Sequence, residues 1–491
     1  MSLTNQTKNQ HLLWRAGFGP AVEQLGDLSK FSPKQFYKAM TKASDKKPEP
    51  INEAQGTMQG LLMGISDAGR IQRNELSADE KKMLQQKLRE GVRNLNLAWM
   101  REMVNSGAQL REKISFFWHG HFACRNLNVF FQQGLLDVIR QNALGSFRDL
   151  LHEVSKTPAM LNFLNNQQNR KDHPNENFAR EVMELFTLGR GNYTEHDVKE
   201  AARAFTGWSA TPQGDFVFRR FQHDYGDKTV LGKTGNFDGD DVLDILLEQK
   251  QTAKFISLKI YKFFVNEADI DTEKTEWLAD RFYKSNYDIS KLMEDIFTSD
   301  WFYDEKNVGS KIKSPVELLT GIQRILPMKL ENEDALIVMQ RVLGQMLFYP
   351  PNVAGWPGGK TWIDSSSLMM RMRIPQLIND ADDLNVKPKD DDDQMMGRRD
   401  DDGKLAYGKK LQANMPRRQQ INANVDWSLY VKNLENVEKE KLVDSVSRLL
   451  LQTKNIVSAD LIKQYADTGS REGFIKTATI QVMSTPEYQL C

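Results

Sequence analysis

Apolar residues recur at helical spacing along most of the chain. Over residues 174–189, Phe178, Val182, Leu185 and Phe186 fall on one face at about 100° per residue. Asn177, Arg180, Glu181, Glu184 and Thr187 form a narrow polar stripe on the other face. Pro174 and Asn175 stand where such a helix starts, and Gly189 stands where it stops. After a tight turn at 189–193, Thr194 opens a second helix with Asp197 in capping-box spacing. Its apolar face is Val198, Ala201, Ala202 and Phe205, and Gly207 ends it.

The same period predicts helices upstream at 33–42, 52–70, 77–103, 111–122, 135–142, 147–154 and 158–165. Downstream it predicts them at 252–266, 272–286, 289–303, 314–326, 333–347 and 365–379. Asp238 or Asp240 starts a further helix that runs to Leu247. Only at 215–223 does the period become two; a turn at 224–227 and the run 228–232 complete a β-hairpin. The Pro/Gly-rich stretch 349–362 has no helical character. The expected fold class is mainly α, a large multi-helix globular body with one small β-hairpin. The main body is expected over 1–384. An Asp-rich insertion at 385–420 has too few apolar side chains to offset ordering entropy and is expected to be disordered or mobile. Helices at about 426–452, 458–468 and 471–484 are expected to pack back on the body as a unit over 421–491.

Composition narrows the function classes. The 491 residues include 66 basic and 66 acidic side chains, so the net charge is zero, which argues against nucleic acid as a partner. Two cysteines, Cys124 and Cys491, make no disulfide framework. No apolar run approaches the roughly 20 residues of a membrane span. The polar stretch 1–9 lacks the apolar core of a secretory signal and reads as cytoplasmic.

The candidate chemistry lies first in the stripe. Glu181 and Glu184, three apart on a helix, can split their pKa values and work as acid and base or ligate a metal, with Arg180 holding an anionic group. The competing reading is an ion-pair network, since Glu176–Arg180 and Arg180–Glu184 are both four apart. His119-Gly120-His121 suggests a divalent metal, the one cofactor the residues point to, but only if Gly120 breaks the helix. In an unbroken helix one of the two is a core histidine. His223, Asp224 and Lys228 at the hairpin turn form either an acid/base and anion clamp or local turn chemistry. Trp356 and Trp362, with Asn352, sit on the Pro/Gly loop as a stacking surface for a sugar or as packing over a helix end. Asp238-Gly239-Asp240-Asp241 lacks the spacing of a calcium loop and reads as a helix N-cap. Phosphate-loop, dinucleotide-binding, zinc-protease and nucleophile-elbow motifs are absent from the sequence.

Several long motifs together resemble a known family. They are HLLWRAGFGP at 11–20, FFWHGHF at 116–122, PNENFAREVMELFTLGRGNYTEHDVKEAARAFTGW at 174–208, HDYGDKTVLG at 223–232, KSPVELL at 313–319 and PPNVAGWPGGKTWIDSSSL at 350–368. Their order and near end-to-end coverage are similar to the bacterial family called "domain of unknown function 1800". The resemblance implies a large helical protein with no activity to carry over. It also implies a genomic neighbour that is alkaline-phosphatase-like or sulfatase-like, and export of many relatives.

Two functions follow as expectations. The first is an enzyme with a polar pocket on the 174–208 helical pair, using acid/base or metal-assisted chemistry on a polar substrate. Its catalytic groups are Glu181, Glu184, Arg180 and His223. Its ligand contacts are Asn177, Arg203, Asp224, Lys228 and Trp356, and any metal sits on His119 and His121. The alternative is a non-catalytic binding or assembly protein that works with the alkaline-phosphatase-like partner. A carbohydrate-binding scaffold built on the tryptophan loop is a third reading.

Overall fold

The computed structural model describes residues 3–54, 78–211, 214–380, 383–384, 419–420 and 423–491. All of the expected helix at 52–70 beyond residue 54, and most of the insertion at 385–420, lie outside the described residues.

Helices dominate. In chain order they are α1 (Asn5–Arg15), α2 (Pro33–Ser44), α3 (Ala78–Asn105), α4 (Gln109–His121), α5 (Val129–Asn142), α6 (Phe147–Lys156) and α7 (Pro158–Phe163). Then come α8 (Asn177–Glu181), which continues as a π-helix over Val182–Thr187, and α9 (Glu195–Ala204). They are followed by α10 (Gly239–Glu248), α11 (Lys250–Phe264), α12 (Thr272–Lys284), α13 (Ile289–Phe297), α14 (Pro315–Ile325), α15 (Asp334–Val342) and α16 (Ser365–Asp380). Past the insertion lie α17 (Ser428–Lys432), α18 (Leu442–Leu450), α19 (Ala459–Tyr465) and α20 (Arg471–Met483).

The helix starts follow from capping chemistry. Capping boxes at Ser32/Gln35, Thr194/Asp197, Asp238/Asp241 and Ser314/Glu317 satisfy the first free backbone N–H groups. Pro33 and Pro315 then occupy the first turn, where a missing N–H costs nothing. The Asp238 cluster is therefore a helix N-cap, as its spacing suggested.

One continuous core runs through the molecule, with Trp14, Trp99 and Trp118 fully buried within it. Two buried ion clusters cross it. Arg140 on α5 holds Glu112 on α4 at 2.8 Å, and Glu112 also accepts from Trp99 Nε1 at 2.9 Å. Glu317 on α14 takes both Lys113 of α4 and Lys311, the latter at 2.8 Å. The segments after the insertion are tied to the body. Strand β5 (Met328–Leu330) pairs antiparallel with β8 (Ala423–Val425), Ile312 bridges to Leu490, and Gln10 donates to the carbonyls of Arg448 and Leu449.

The strands near the candidate site differ from the expected hairpin. Residues 215–223 do not pair with 228–232. Instead β1 (Trp208–Ala210) pairs with β2 (Phe216–Phe218), and β3 (Lys228–Val230) pairs with β4 (Lys233–Gly235), giving two hairpins. A fourth two-stranded pair joins β6 (Asp383–Leu384) to β7 (Gln419–Gln420). The period-two run ends in a short 3-10 turn over Arg220–Gln222, and Arg219 N donates to Gly207 O at 2.8 Å, so β2 folds back beside β1 instead of running on to β3.

Candidate active site on the α8–α9 pair

α8 begins where the sequence placed it: Asn175 Oδ1 accepts from the backbone N–H of Asn177 at 3.0 Å. Phe178, Val182 and Phe186 are buried, as the periodicity required. From Val182 the helix widens by one residue per turn. Leu188 N donates to Met183 O at 2.9 Å, a step of five residues. This extra residue turns Thr187 inward, where its hydroxyl donates to Val182 O at 2.7 Å. Thr187 thus leaves the polar stripe for the core. Gly189 ends the helix at φ +79°, and the Phe255 ring of α11 stands 2.7 Å from where its Cβ would be, so both conformation and space demand glycine.

The stripe divides into paired and unpaired members. Arg180 donates to Glu176 at 3.0 Å and to both oxygens of Glu195 at 2.7 Å, so its charge is committed to an ion-pair network between α8 and α9. Asn177 is exposed. Glu184, partly buried, accepts from the Tyr193 hydroxyl at 2.5 Å, and Arg190 stands 3.9 Å away. Glu181 is partly buried and has no hydrogen bond or ion pair among the described residues. Burial raises its pKa, and the neighbouring Glu184 charge raises it further against the pull of Arg180. The Tyr193 phenol is likewise pushed up, to about 12, by burial and by its bond to Glu184.

The residues at the β2–β3 bend form a second polar knot, held by α9. Arg203 donates from Nε to Asp224 Oδ2 at 2.7 Å and from Nη1 to Glu200 at 3.0 Å. Asp224 also accepts from the Gly226 N–H at 2.8 Å, the local turn bond its sequence allowed. Lys228 donates to the Asp224 carbonyl at 2.5 Å. His223 is buried; its Nδ1 donates to Thr206 O at 2.9 Å, which leaves Nε2 as the lone-pair nitrogen. Burial lowers its pKa, opposed by that carbonyl bond.

His119 and His121 do not form a joint metal pair. α4 runs unbroken through Gly120 to His121, so the two rings leave on different sides. His119 lies among Trp99, Phe348 and Trp356, whereas His121 lies among Phe117, Trp118 and Phe122, with Nε2 against Phe186 O at 3.2 Å. Burial alone pushes His119 down to about 3, and burial pushes His121 down as well, helped by Lys259. Among the described residues no three His, Cys, Asp or Glu side chains gather as metal ligands.

Trp356 comes to His119 from the Pro/Gly loop and stacks on it with centroids 5.5 Å apart and planes 22° apart. The loop thereby packs over the end of α4. Sequence reasoning missed Tyr193: it closes the turn after α8 in the long central motif, and its place three residues beyond Arg190 was the available signal.

The length of the shared motifs now has a counterpart in a family match. The chain belongs to the family described as protein of unknown function, DUF1800. Its family model covers residues 11–490, nearly the whole chain. No curated protein and no solved structure matches the chain. For this DUF1800 member, no helix among the described residues is long and apolar enough to cross a membrane.

Proposed function

We propose that the chain is an acid/base enzyme acting on a polar polymer or its fragments. In this reading Glu181 carries the proton and Glu184 is its charged partner, oriented by Tyr193. One observation carries it. Glu181 is a partly buried carboxyl with no partner, raised in pKa, beside a carboxylate that is already bonded. An uncommitted carboxyl whose pKa is raised is what a general acid needs. Arg180 then acts as a brace between α8 and α9 rather than a substrate clamp, since Glu176 and Glu195 use its donors. The Arg203–Asp224–Lys228 knot and His223 enter as the ordered polar edge, because α9 packs on both α8 and β3.

The test is a screen of the purified protein on glycosides, esters and phosphoesters, repeated with Glu181→Gln and Glu184→Gln. A general-acid role predicts a loss of about 100-fold or more for Glu181→Gln. Any activity found that survives both substitutions overturns the reading.

A second reading, the binding or assembly protein with an alkaline-phosphatase-like partner, draws on one observation. Phe221 is 75% exposed and Tyr225 57% exposed on the bend that carries His223. Exposed aromatic rings beside a rigid polar knot suit a partner surface.

A further inference from the structure

A cavity of about 1020 Å³ opens between α3, the end of α14 and β5, and no residue of the α8 stripe lines it. Its size is at the upper end of small-molecule sites, about 300–1,000 Å³. At its base lies Arg324, in the last turn of α14 and only 7% exposed. Nε donates to Gly19 O at 3.0 Å and Nη1 to Val104 O at 2.7 Å. These two neutral carbonyls fix the plane of the guanidinium without neutralising it. Among the described residues Nη2 has no partner and no carboxylate bonds the group.

Among the described residues four acids and four cations line the cavity, Arg324 among the cations, and two of the pairs are closed. Arg93 pairs with Asp334, and Arg101 pairs with Glu333 at 2.6 Å. The exposed Glu23, which lines the same cavity, attracts Arg324 without bonding it. Neutral amides of Gln24, Asn94, Asn105 and Gln323 line the walls. A buried cation held rigid by neutral carbonyls and bonded to no carboxylate is a costly arrangement unless something completes it. We infer that this cavity binds a small polar molecule through a terminal carboxylate or phosphate, gripped by the open edge of the Arg324 guanidinium. A planar guanidinium suits such oxoanions better than an ammonium does, because its donors match their geometry. The wall amides then meet the polar body of the ligand. Burial lowers the Arg324 pKa only to about 10, so the group stays cationic at neutral pH.

Calorimetry on the full chain with inorganic phosphate, and separately with citrate, tests this. The expected result is saturable binding of at least one of the two, and the tighter of them names the oxoanion class. Arg324→Gln should weaken it by about tenfold or more, the loss of one charge-assisted contact. Arg324 also ties down Gly19 and Val104, so Gln323→Glu serves as the second variant. It leaves those bonds intact, keeps the thermal midpoint, and sets a negative charge on the wall, which should weaken binding to a similar degree. Failure of both anions to bind the wild-type chain, or undiminished binding by folded Gln323→Glu, overturns the inference.

Discussion

The Tyr193 hydroxyl bonds Glu184 at 2.5 Å, whereas the Glu181 carboxyl, three residues earlier, has no partner among the described residues. Two neighbouring carboxylates thus sit in unlike surroundings, and the Glu184 charge is one of the causes that hold the Glu181 pKa up. Glu184→Gln removes that charge and should lower the Glu181 pKa. A carboxyl-carbon NMR titration of wild type and variant reads the shift; an unchanged or higher Glu181 pKa contradicts the coupling.

Glu317 is the carboxylate that bonds two buried amines, Lys113 and Lys311. Their attraction holds its own pKa well below the usual carboxylate range against the opposing cost of burial. Glu317→Gln leaves both ammonium groups uncompensated inside the core. Breaking one side of a buried pair costs about 3–5 kcal/mol, and urea denaturation should show a loss of that order. A loss no greater than that of an exposed pair would mean that water already reaches the cluster.

Acid should weaken the fold through His119. Burial lowers its folded pKa to about 3 from the ordinary imidazole value of 6.5. Between these limits the unfolded chain holds a proton that the native state refuses, so stability falls as pH drops below 6.5 and the loss is complete near 3. Each pH unit inside that window costs about 1.4 kcal/mol. His119→Phe should flatten this part of the stability curve relative to wild type, as read from denaturant midpoints between pH 7 and 4. Parallel curves for the two proteins would refute the assignment.

Gly321 on α14 faces the Trp14 indole so closely that an added Cβ would stand 2.1 Å from the ring. Gly321→Ala should therefore cost about 1–3 kcal/mol, the usual range for overpacking. Alanine has the higher helix propensity, so a gain in the thermal midpoint would show that α1 and α14 separate easily.

Much of the helical framework could be read from the chain because its signals are local. Thr194 with Asp197, Asp238 with Asp241, and Gly189 at positive φ mark ends by chemistry contained within a few residues. The π-helix at Val182–Thr187 escaped because one extra residue scarcely disturbs an apolar pattern five or six residues long. The strand pairing was misread because Trp208–Ala210 follows directly on a helix and its partner carries the alternating pattern alone. At the candidate site, the residues on one helix were visible as a group. The contacts that separate them were not, since Tyr193, Glu195 and Trp356 act across turns or from distant loops. Arg324 gave no signal at all. It reads as an ordinary basic residue in the last turn of a helix, and only the approach of Gly19 and Val104 makes it unusual.

The ammonium of Lys313 rests 3.7 Å from the centre of a Trp14 ring and 3.9 Å from that of Tyr488. Contacts of such sequence separation make the interior a late product of assembly. A nascent chain that has emerged only as far as α16 carries the amines of Lys113, Lys311 and Lys313 with Tyr488 still to arrive. The segment around residue 488 works as a latch. Its docking gives the Lys313 ammonium both the Tyr488 ring and the Tyr488 carbonyl, to which it donates at 2.6 Å.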